Sequence, residues 1–459
     1  MQPIAEYLAE NALNLKNELI EFLKIPSISC QEEFVPECRR AAEWLERCLT
    51  KIGFSVTLYP VSSRHPMVYA ESPKIEGAPT LLIYGHYDVQ PVDPLDLWTE
   101  TSPFEPTEKN GCLYGRGTSD DKGPLYSHIA AAAYWMKQPN RPNLNVKFLI
   151  EGDEEGGDST AALFVEENAD LLACDYVVLS DSTQFAPGFP SITCGLRGIA
   201  AYELTLTGPV QDLHSGMFGG AVTNPCNVLC EILGNMFDEN HRIRIPGFYD
   251  EVRRLPQEDL EAMRLLPFDD AGFFSSVGVE DGLGEADMTV HERITIRPTF
   301  DINGITGGYQ GEGGKTIIPA WASAKFSFRL VPNQDAEWLT AALSRWIQEQ
   351  LPPGITMKLD VEAQSGGLLL DLKRPCMKAA ARSMEFGFGC APVFTREGGS
   401  IPIVAKFSRR LTPNVLMLAY SQKTDNAHGP NEHFSLTNFI HGIKTNVKLW
   451  QELSIEEEN

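Results

Sequence analysis

The stretch NVKFLIEGDEEGGDST, residues 145–160, passes from a strand pattern into a crowded acidic loop. Its first residues, up to Ile150, form an apolar run that is typical of a buried strand. Five carboxylates then fall within eight residues, separated by glycines: Glu151, Asp153, Glu154, Glu155 and Asp158. Because carboxylates this close repel one another, the stretch predicts bound positive charge at the end of a buried strand.

The same arrangement of a buried strand followed by polar side chains recurs in three other places: PTLLIYGHYDV (79–89), CDYVVLSDS (174–182) and NVLMLAYSQKTDNAH (414–428). Between such strands lie helix patterns over residues 34–52, 122–137 and 159–168, and a final helix pattern begins at Leu436. Buried strands that alternate with helices predict an α/β fold, in which helices cover a largely buried sheet.

The middle of the chain has a different pattern. Four segments alternate apolar and polar residues, as half-exposed strands do: IAAYELTLTG (199–208), ERITIRPTFDING (292–304), AWASAKFSFRLVP (320–332) and ITMKLDVEA (355–363). Helix patterns cover 224–237 and 335–350. We therefore predict an α+β sandwich at residues 198–370, inserted into an α/β domain that residues 1–197 and 371–459 form together.

Composition excludes several classes of partner. The chain has 459 residues and a formal net charge of -24, which argues against nucleic acid and anionic membranes, since both require clustered Lys and Arg. The ten cysteines include no CxxC pair and are expected to be reduced thiols. The N-terminal segment carries acids from Glu6 onward and lacks a signal-peptide pattern, so we expect a cytoplasmic protein.

The polar residues that follow the strands suit a metal site. Ligands of an open α/β sheet bind beyond the carboxyl ends of its strands, where this sequence places His86, Asp88, Asp181 and His428 with the acidic loop. Imidazole and carboxylate ligands suit zinc, cobalt or manganese. A carboxylate can bridge two such ions about 3.5 to 4 Å apart, and the pair can activate a water molecule.

The neighbouring acids Glu154 and Glu155 need different roles. On extended backbone they point in opposite directions, so one can bind metal while the other acts as a general base on the water. Asp88 shares a strand face with His86, and it can hydrogen-bond the far imidazole nitrogen and thereby fix the tautomer.

Two further patterns do not match the sites that they suggest. EGDEEGGDST lacks the spacing of a calcium-binding loop and its acid at the twelfth position. In GYQGEGGKT the glycine that a phosphate-binding loop requires six residues before Lys315 is replaced by Tyr309, and a strand pattern follows in place of a helix. We therefore do not interpret the chain as an ATPase.

The order of the motifs resembles a known family. From the N-terminus the chain carries GHYDVQP, LYGRGTSDDKGP, EGDEEGG, LSDS, DLHSGMFGG, EGGKTIIP, FSFRLVP, REGGSIP and AHGPNE. This ordered set, over about residues 10 to 450, resembles the M20 metallopeptidases, and within them the dipeptidase branch that includes carnosinase and the Cys-Gly dipeptidases. Each motif is weak alone, and the ordered set is specific.

The resemblance implies a zinc-peptidase-type catalytic domain, with a mixed sheet covered by helices, and two divalent metal ions per subunit. Zinc is expected first, with manganese or cobalt as alternatives. One ion would be held by His86 and Asp181, the other by Glu155 and His428, with Asp120 bridging. Glu154 would be the general base and Asp88 would orient His86. Asp121 would follow Asp120 across a cis peptide bond.

The resemblance further implies that the inserted domain is a lid through which the chain forms a homodimer. His214 would reach the active site of the partner subunit and stabilise the tetrahedral oxyanion. Arg329 would bind the substrate carboxylate or the reacting oxygen, and Ser400 would line the carboxylate end of the site. Asn303 occupies a position at which carnosinases carry His, which leaves substrate preference open.

The sequence as a whole predicts a two-metal hydrolase that cleaves dipeptides or similar small peptides with metal-activated water. One alternative keeps the metal site but changes the substrate to an N-acyl or N-carbamoyl amino acid. A second is a catalytically silent binding or regulatory protein, against which the complete ligand set and Glu154 argue.

Overall fold

The computed structural model describes residues 2–60, 65–156, 160–399 and 401–455. The chain forms two compact units. The first unit comprises Met1–Cys194, Leu370–Thr395 and Lys406–Asn459. The second unit comprises Gly195–Leu369 and Arg396–Ala405. Across the described ranges, no helix combines the length and the apolar character that a membrane span needs.

A mixed sheet forms the centre of the first unit. Its successive strands, in spatial order, are Ser55–Tyr59, Met67–Glu71, Asn145–Glu151, Thr80–His86, Tyr176–Leu179, Val415–Ala419 and Ser191–Leu196. Four neighbours in the middle of this order run parallel: Asn145–Glu151, Thr80–His86, Tyr176–Leu179 and Val415–Ala419. Their carboxyl ends therefore meet at one edge, where the sequence predicts the metal site. Val393–Glu397 also pairs with Ser191–Leu196 in this sheet. Short strands outside the sheet are Thr107–Lys109, Cys112–Tyr114, His433–Ser435, Thr183–Gln184 and Ser421–Gln422.

The α-helices of the first unit are Ile4–Leu23, Val35–Ile52, Lys122–Met136, Thr160–Glu167, Ala169–Leu172, Pro375–Phe388 and Leu436–Leu453, and Pro402–Arg410 begins in the second unit and ends in the first. Lys122–Met136 is buried along nearly its whole length. It packs against the strand Thr80–His86 and the helix Leu436–Leu453. The predicted α/β architecture with a mixed sheet and surrounding helices is confirmed.

The second unit contains a four-stranded antiparallel sheet in the order Thr299–Gly307, Trp321–Leu330, Gly198–Thr207 and Thr356–Ser365. The helices Pro225–Gly234 and Ala336–Gln348 pack against it and share its apolar core. A separate two-stranded pair joins Leu213–His214 to Ile317–Ile318. Smaller helices are Ser215–Phe218, Gln257–Arg264, Asp270–Ser276 and Val290–Thr295.

One strand prediction was wrong at its first half. Residues 292–295, expected to begin a strand, lie in the helix Val290–Thr295, and the strand begins at Thr299. Thr289 and Glu292 form a reciprocal capping box at the start of the helix. This cap satisfies backbone N–H groups that a helix start otherwise leaves unpaired. It therefore favours a helix over the strand that the alternating pattern predicts.

Candidate metal centre

His86 and Asp120 form one half of the candidate centre. His86 is the last residue of the strand Thr80–His86 and is fully buried. Its Nε2 lies 3.0 Å from Asp120 Oδ1 and 4.0 Å from Asp181 Oδ2. Asp181 follows the neighbouring parallel strand Tyr176–Leu179. These three residues can each offer a ligand atom, and the atoms lie within 4.8 Å of one another.

His428 and Glu155 form the other half, again around Asp120. His428 Nε2 lies 2.9 Å from Asp120 Oδ2 and 3.2 Å from Glu155 Oε1. This second group also falls within 4.8 Å. Asp120 thus directs one carboxylate oxygen to each histidine, and it belongs to both groups.

The start of the helix Lys122–Met136 brings Asp120 to the sheet edge. Asp121, the N-cap residue of this helix, lies against Gly85 of the strand Thr80–His86. A Cβ at Gly85 would meet Asp121 Oδ2 at 2.6 Å. Only glycine therefore permits this close approach without a shift of the neighbouring groups. The peptide bond between Asp120 and Asp121 is cis.

The acids of the opening stretch separate into distinct environments. Glu151 accepts a hydrogen bond from the Tyr84 hydroxyl. Asp153 accepts one from Thr160 and lies 4.0 Å from His65 Nε2. Glu155 accepts a bond of 2.8 Å from Gln90 in addition to its contact with His428. Asp158 lies outside the described residues. Protein donors therefore relieve part of the crowding, and bound protons or cations can relieve the rest.

Glu154 lies in the turn that follows the strand Asn145–Glu151, and it belongs to neither ligand group. Burial raises the pKa of its carboxyl group to about 9, and the nearby acids Asp181 and Glu155 act in the same direction against the effect of His86. Cations bound beside it would lower this pKa.

Neighbouring carboxylates favour the protonated form of both histidines in the metal-free chain. Burial opposes a charge on His86, but its hydrogen bonds to Asp120 and Asp88 outweigh burial and raise the pKa of the imidazole well above its usual value. Hydrogen bonds to Asp120 and Glu155 raise the pKa of His428 to about 10. Burial raises the pKa of Asp120, yet the hydrogen bonds from both histidines prevail and lower it. Protons and cations thus compete for these groups.

Asp88 contacts both halves of the centre. Its backbone carbonyl lies 3.1 Å from His86 Nδ1, and its carboxylate Oδ1 lies 3.4 Å from the same nitrogen. Its Oδ2 accepts the backbone N–H of Glu155 at 3.0 Å. The sequence predicts a side-chain hydrogen bond from Asp88 to His86; the structure places the carboxylate near that nitrogen, but the 3.1 Å contact is to the backbone carbonyl. The bond to Glu155, which depends on how two loops fold together, was not predicted.

Within the described part of the chain, the other predicted site residues belong to neither ligand group. His214, Arg329 and Asn303 belong to the second unit, and Ser400 lies outside the described residues. His214 is exposed and caps the short helix Ser215–Phe218 by accepting the Gly216 N–H at Nδ1. Arg329 lies in a central strand, whereas Asn303 is exposed at a β-bulge in the edge strand.

The residues present fit a pair of divalent ions. Two histidine nitrogens and three carboxylates form two groups that share Asp120, and this donor set suits zinc, manganese or cobalt. Each histidine nitrogen lies 2.9 to 3.0 Å from an Asp120 oxygen. This exceeds the roughly 2.0 to 2.2 Å between zinc and a single ligand atom, as expected for two ligand atoms placed around one ion.

Comparison with known proteins identifies the family. The sequence model of the family described as "Peptidase family M20/M25/M40" matches residues 82–452. The chain belongs to this family. The M20 peptidase is 29% identical to the Cys-Gly metallodipeptidase of Saccharomyces cerevisiae over 96% of each chain. It is 31% identical to the human Beta-Ala-His dipeptidase, over 85% of this chain and 78% of that protein.

Solved structures give the same result. The crystal structure of human carnosine dipeptidase 1 aligns with a TM-score of 0.80 at 29% identity and covers 98% of each chain. An M20 family metallo-carboxypeptidase from Sulfolobus solfataricus aligns with a TM-score of 0.85 at 32% identity, over 96% of this chain and 99% of that chain. The predicted resemblance to M20 peptidases is confirmed, and the chain is a peptide hydrolase.

Proposed function

We propose that this protein is a dipeptidase that uses two divalent metal ions, zinc in the first instance, with manganese or cobalt as alternatives. One observation carries the proposal: the Asp120 carboxylate lies between His86 and His428, with one oxygen directed to each. The similarity to two dipeptidases over most of the chain supports a dipeptide as the substrate.

The residues divide the work between metal binding and proton transfer. His86, Asp120 and Asp181 would hold one ion, and Asp120, Glu155 and His428 the other. When bound, such ions polarise a substrate carbonyl and lower the pKa of water. Glu154 then accepts the proton of the attacking water and returns it to the leaving amine.

Glu154 is well suited to this proton transfer. Its carboxyl group interacts electrostatically with His86, Asp181 and Glu155, so it lies near both ligand groups without belonging to either. Its raised pKa, about 9 without metal, falls when cations bind nearby, which brings it toward the neutral range in which a general base works best.

His214 is proposed to donate a hydrogen bond to the oxyanion in the active site of a partner subunit. Its Nδ1 accepts the Gly216 N–H at 3.0 Å, so the neutral imidazole carries its proton on Nε2. That N–H is a donor on an exposed residue. A homodimer through the second unit, and a cytoplasmic location, are part of this proposal.

The substrate carboxylate is proposed to bind at Arg329, with Ser400 at the same end. Burial, followed by the nearby positive charge of Arg329, lowers the pKa of Arg197 to about 10. Two guanidinium groups therefore lie close enough to favour an anion together. Asn303, an amide on a bulged edge strand, is proposed to contribute to the choice of substrate side chain.

A second candidate function is the removal of C-terminal residues from longer peptides. The similarity to the Sulfolobus solfataricus metallo-carboxypeptidase favours it. The N-acyl or N-carbamoyl alternative has weaker support, because the hydantoinase/carbamoylase-family amidase from Burkholderia phymatum, at 12% identity, shows the fold alone.

Hydrolysis of a mixed panel tests these candidates. Metal-free protein is loaded with zinc or manganese and incubated with α- and β-linked dipeptides including Cys-Gly, tri- and tetrapeptides, and N-acetyl and N-carbamoyl amino acids. Products are measured by mass spectrometry, with Glu154→Gln as the control for contaminating activity. Selective loss of dipeptides supports the proposal. Shortening of longer peptides favours the carboxypeptidase, and no turnover with either metal contradicts both.

A further inference from the structure

A buried ion pair lies directly behind the proposed metal ligands. Arg116 Nη1 donates to Glu432 Oε2 at 2.7 Å, and the two side chains are 2% and 0% exposed. Arg116 precedes Asp120 by four residues, and Glu432 follows His428 by four. A buried charge pair is costly unless each partner makes further hydrogen bonds. The other contacts of Glu432 and Arg116 therefore show what holds the pair in place.

The Glu432 carboxylate holds the backbone that leads to Asp120. Its Oε2 also accepts the Gly117 N–H at 3.0 Å. Its Oε1 accepts the backbone N–H of Ser119 at 2.9 Å and that of Asp120 at 3.2 Å, and the Ser119 hydroxyl at 3.2 Å. Three backbone N–H groups of one turn therefore converge on a single carboxylate, which leaves that turn little freedom.

The Arg116 guanidinium holds the loop that carries His428. Its Nη2 donates to the His428 carbonyl at 3.2 Å and to the Pro91 carbonyl at 2.9 Å. The guanidinium also lies 5.3 Å from the centre of the Trp98 ring. His428 has φ of +62°, a conformation that a non-glycine residue adopts at an energetic cost and retains only where its surroundings fix it.

We propose that Glu432 and Arg116 act as one positioning unit, which sets Asp120 and His428 at the spacing that two metal ions require. The inference rests on the proposed two-metal function. Glu432 itself is not a ligand in this arrangement, because its oxygens already accept from Arg116 and from the turn, and it lies outside both ligand groups. Such outer-shell contacts typically change metal affinity by about 10- to 100-fold.

Two substitutions separate the two arms of the unit. In Glu432→Gln an amide N–H replaces one acceptor, so the side chain cannot accept from both Arg116 and the turn. We expect both ions to bind about 10- to 100-fold more weakly, because Asp120 belongs to both ligand groups. Arg116→Lys keeps a cation for Glu432 but loses the planar fork that reaches the His428 carbonyl. We expect Arg116→Lys to weaken binding of the ion in the His428 ligand group by about 10-fold or more and to leave the affinity for the other ion unchanged.

The measurements are titration of metal-free protein with Zn²⁺ and the absorption spectrum of the Co²⁺-loaded protein, with kcat and KM recorded at saturating metal. The control is Glu285→Gln, which breaks a well-buried ion pair of the second unit, in which Arg297 contacts Glu285 at 2.6 Å. That variant should bind metal as wild type does.

The expected pattern is weaker metal binding and altered Co²⁺ bands in Glu432→Gln and Arg116→Lys, with a lower kcat and a nearly unchanged KM. Wild-type affinities and spectra in both variants would overturn the inference, even where thermal stability falls. Should Glu432→Gln fail to fold, the milder Arg116→Lys decides the question. A wild-type chain that binds no metal would instead contradict the proposed function, so the two failures are distinguishable.

Discussion

Asp88 accepts the backbone N–H of Glu155 at 3.0 Å, which joins the loop after the strand Thr80–His86 to the loop after Asn145–Glu151. The other oxygen of the same carboxylate lies 3.4 Å from His86 Nδ1. One fully buried side chain thus contacts a proposed ligand of each ion, while the hydrogen bond of His86 Nδ1 goes to the Asp88 backbone carbonyl. A carboxylate behind a metal-binding histidine sets its tautomer and orientation, and here it also sets the position of a second ligand.

Replacement of Asp88 by Asn should weaken metal binding by about 10- to 100-fold. The amide can accept at one atom only, so it cannot accept the Glu155 N–H and also present an oxygen to His86 Nδ1, which then keeps only the Asp88 backbone carbonyl. The matched control is Asp175→Asn, because Asp175 accepts the backbone N–H of Thr80 at the other end of the same strand. Zinc titration of the metal-free variants measures the effect. Equal affinities in the two variants would show that Asp88 has only a structural role.

Glu154 and Glu155 should behave differently although they are adjacent. Glu154→Gln should retain two ions but lose about 10²- to 10⁴-fold in kcat, because it removes the proton acceptor and no proposed ligand. Glu155→Gln should lose affinity for one ion, because Glu155 lies in a ligand group. Metal content by mass spectrometry and kcat on a dipeptide give the comparison. Retention of activity by Glu154→Gln would exclude it as the base.

The parts of the fold that could be predicted are those fixed by local pattern. The buried strands Thr80–His86 and Asn145–Glu151 read as apolar runs, and the parallel connection places their polar ends together. The strand prediction from residue 292 was wrong at its start, because the capping box favours a helix where the residues alternate between apolar and polar. Periodicity alone does not record such a competition.

The contacts behind the ligands could not be predicted. Glu432 and Arg116 both lay within quoted motifs, AHGPNE and LYGRG, but a carboxylate near metal-binding residues reads first as another ligand. Its actual bonds go to backbone N–H groups more than 300 positions away in sequence, such as that of Ser119. The pairing depends on the packing of the strand His433–Ser435 against Cys112–Tyr114, which no local pattern encodes.

Metal binding should release protons and weaken on acidification. In the metal-free chain, hydrogen bonds to Asp120 and Glu155 raise the pKa of His428 to about 10, so at pH 7 the imidazole is protonated and must lose that proton to bind an ion. Zinc affinity should therefore rise with pH up to about this value. Calorimetric titration at pH 7 in two buffers of different ionisation enthalpy should detect at least about one released proton. Equal heats in both buffers would contradict this competition.

The metal-free fold should lose stability in acid through His128. Burial alone lowers the pKa of His128 to about 3, and its Nε2 lies 2.8 Å from the Ser180 hydroxyl. The folded state thus keeps the imidazole neutral, while the unfolded chain binds a proton below about pH 6.5. The contribution of neutral His128 to the free energy of unfolding is therefore fully present above about pH 6.5. It is lost progressively as the pH falls toward 3, by about 2 kcal/mol at pH 5.

Urea unfolding of chelator-treated protein at pH 7 and pH 5 measures this loss. Since His128→Gln cannot titrate, its free energy of unfolding should change less between the two pH values than that of wild type, whatever its stability at pH 7. His241→Gln, at a partly exposed histidine of the second unit, should keep the full wild-type difference. The same pH difference in all three proteins would exclude His128 as the source.

Mixing of inactive variants tests whether His214 acts on a partner subunit. His214→Ala alone should lower kcat by about 10²- to 10³-fold, as the removal of an oxyanion donor does. In a hybrid dimer of His214→Ala and Glu154→Ala, one active site combines an intact Glu154 with the His214 of the other chain. After subunit exchange at equal concentrations, half of the dimers are hybrids with one complete site, so about a quarter of wild-type activity should return.

The control for that experiment pairs Glu154→Ala with Glu155→Ala. Both residues lie in the first unit of the same chain, so no hybrid of these two variants has a complete site, and activity should stay at the level of the parents. Exchange itself is measured by native mass spectrometry of isotopically labelled chains. Proven exchange without recovery in the His214→Ala mixture would place the action of His214 within its own subunit or outside catalysis.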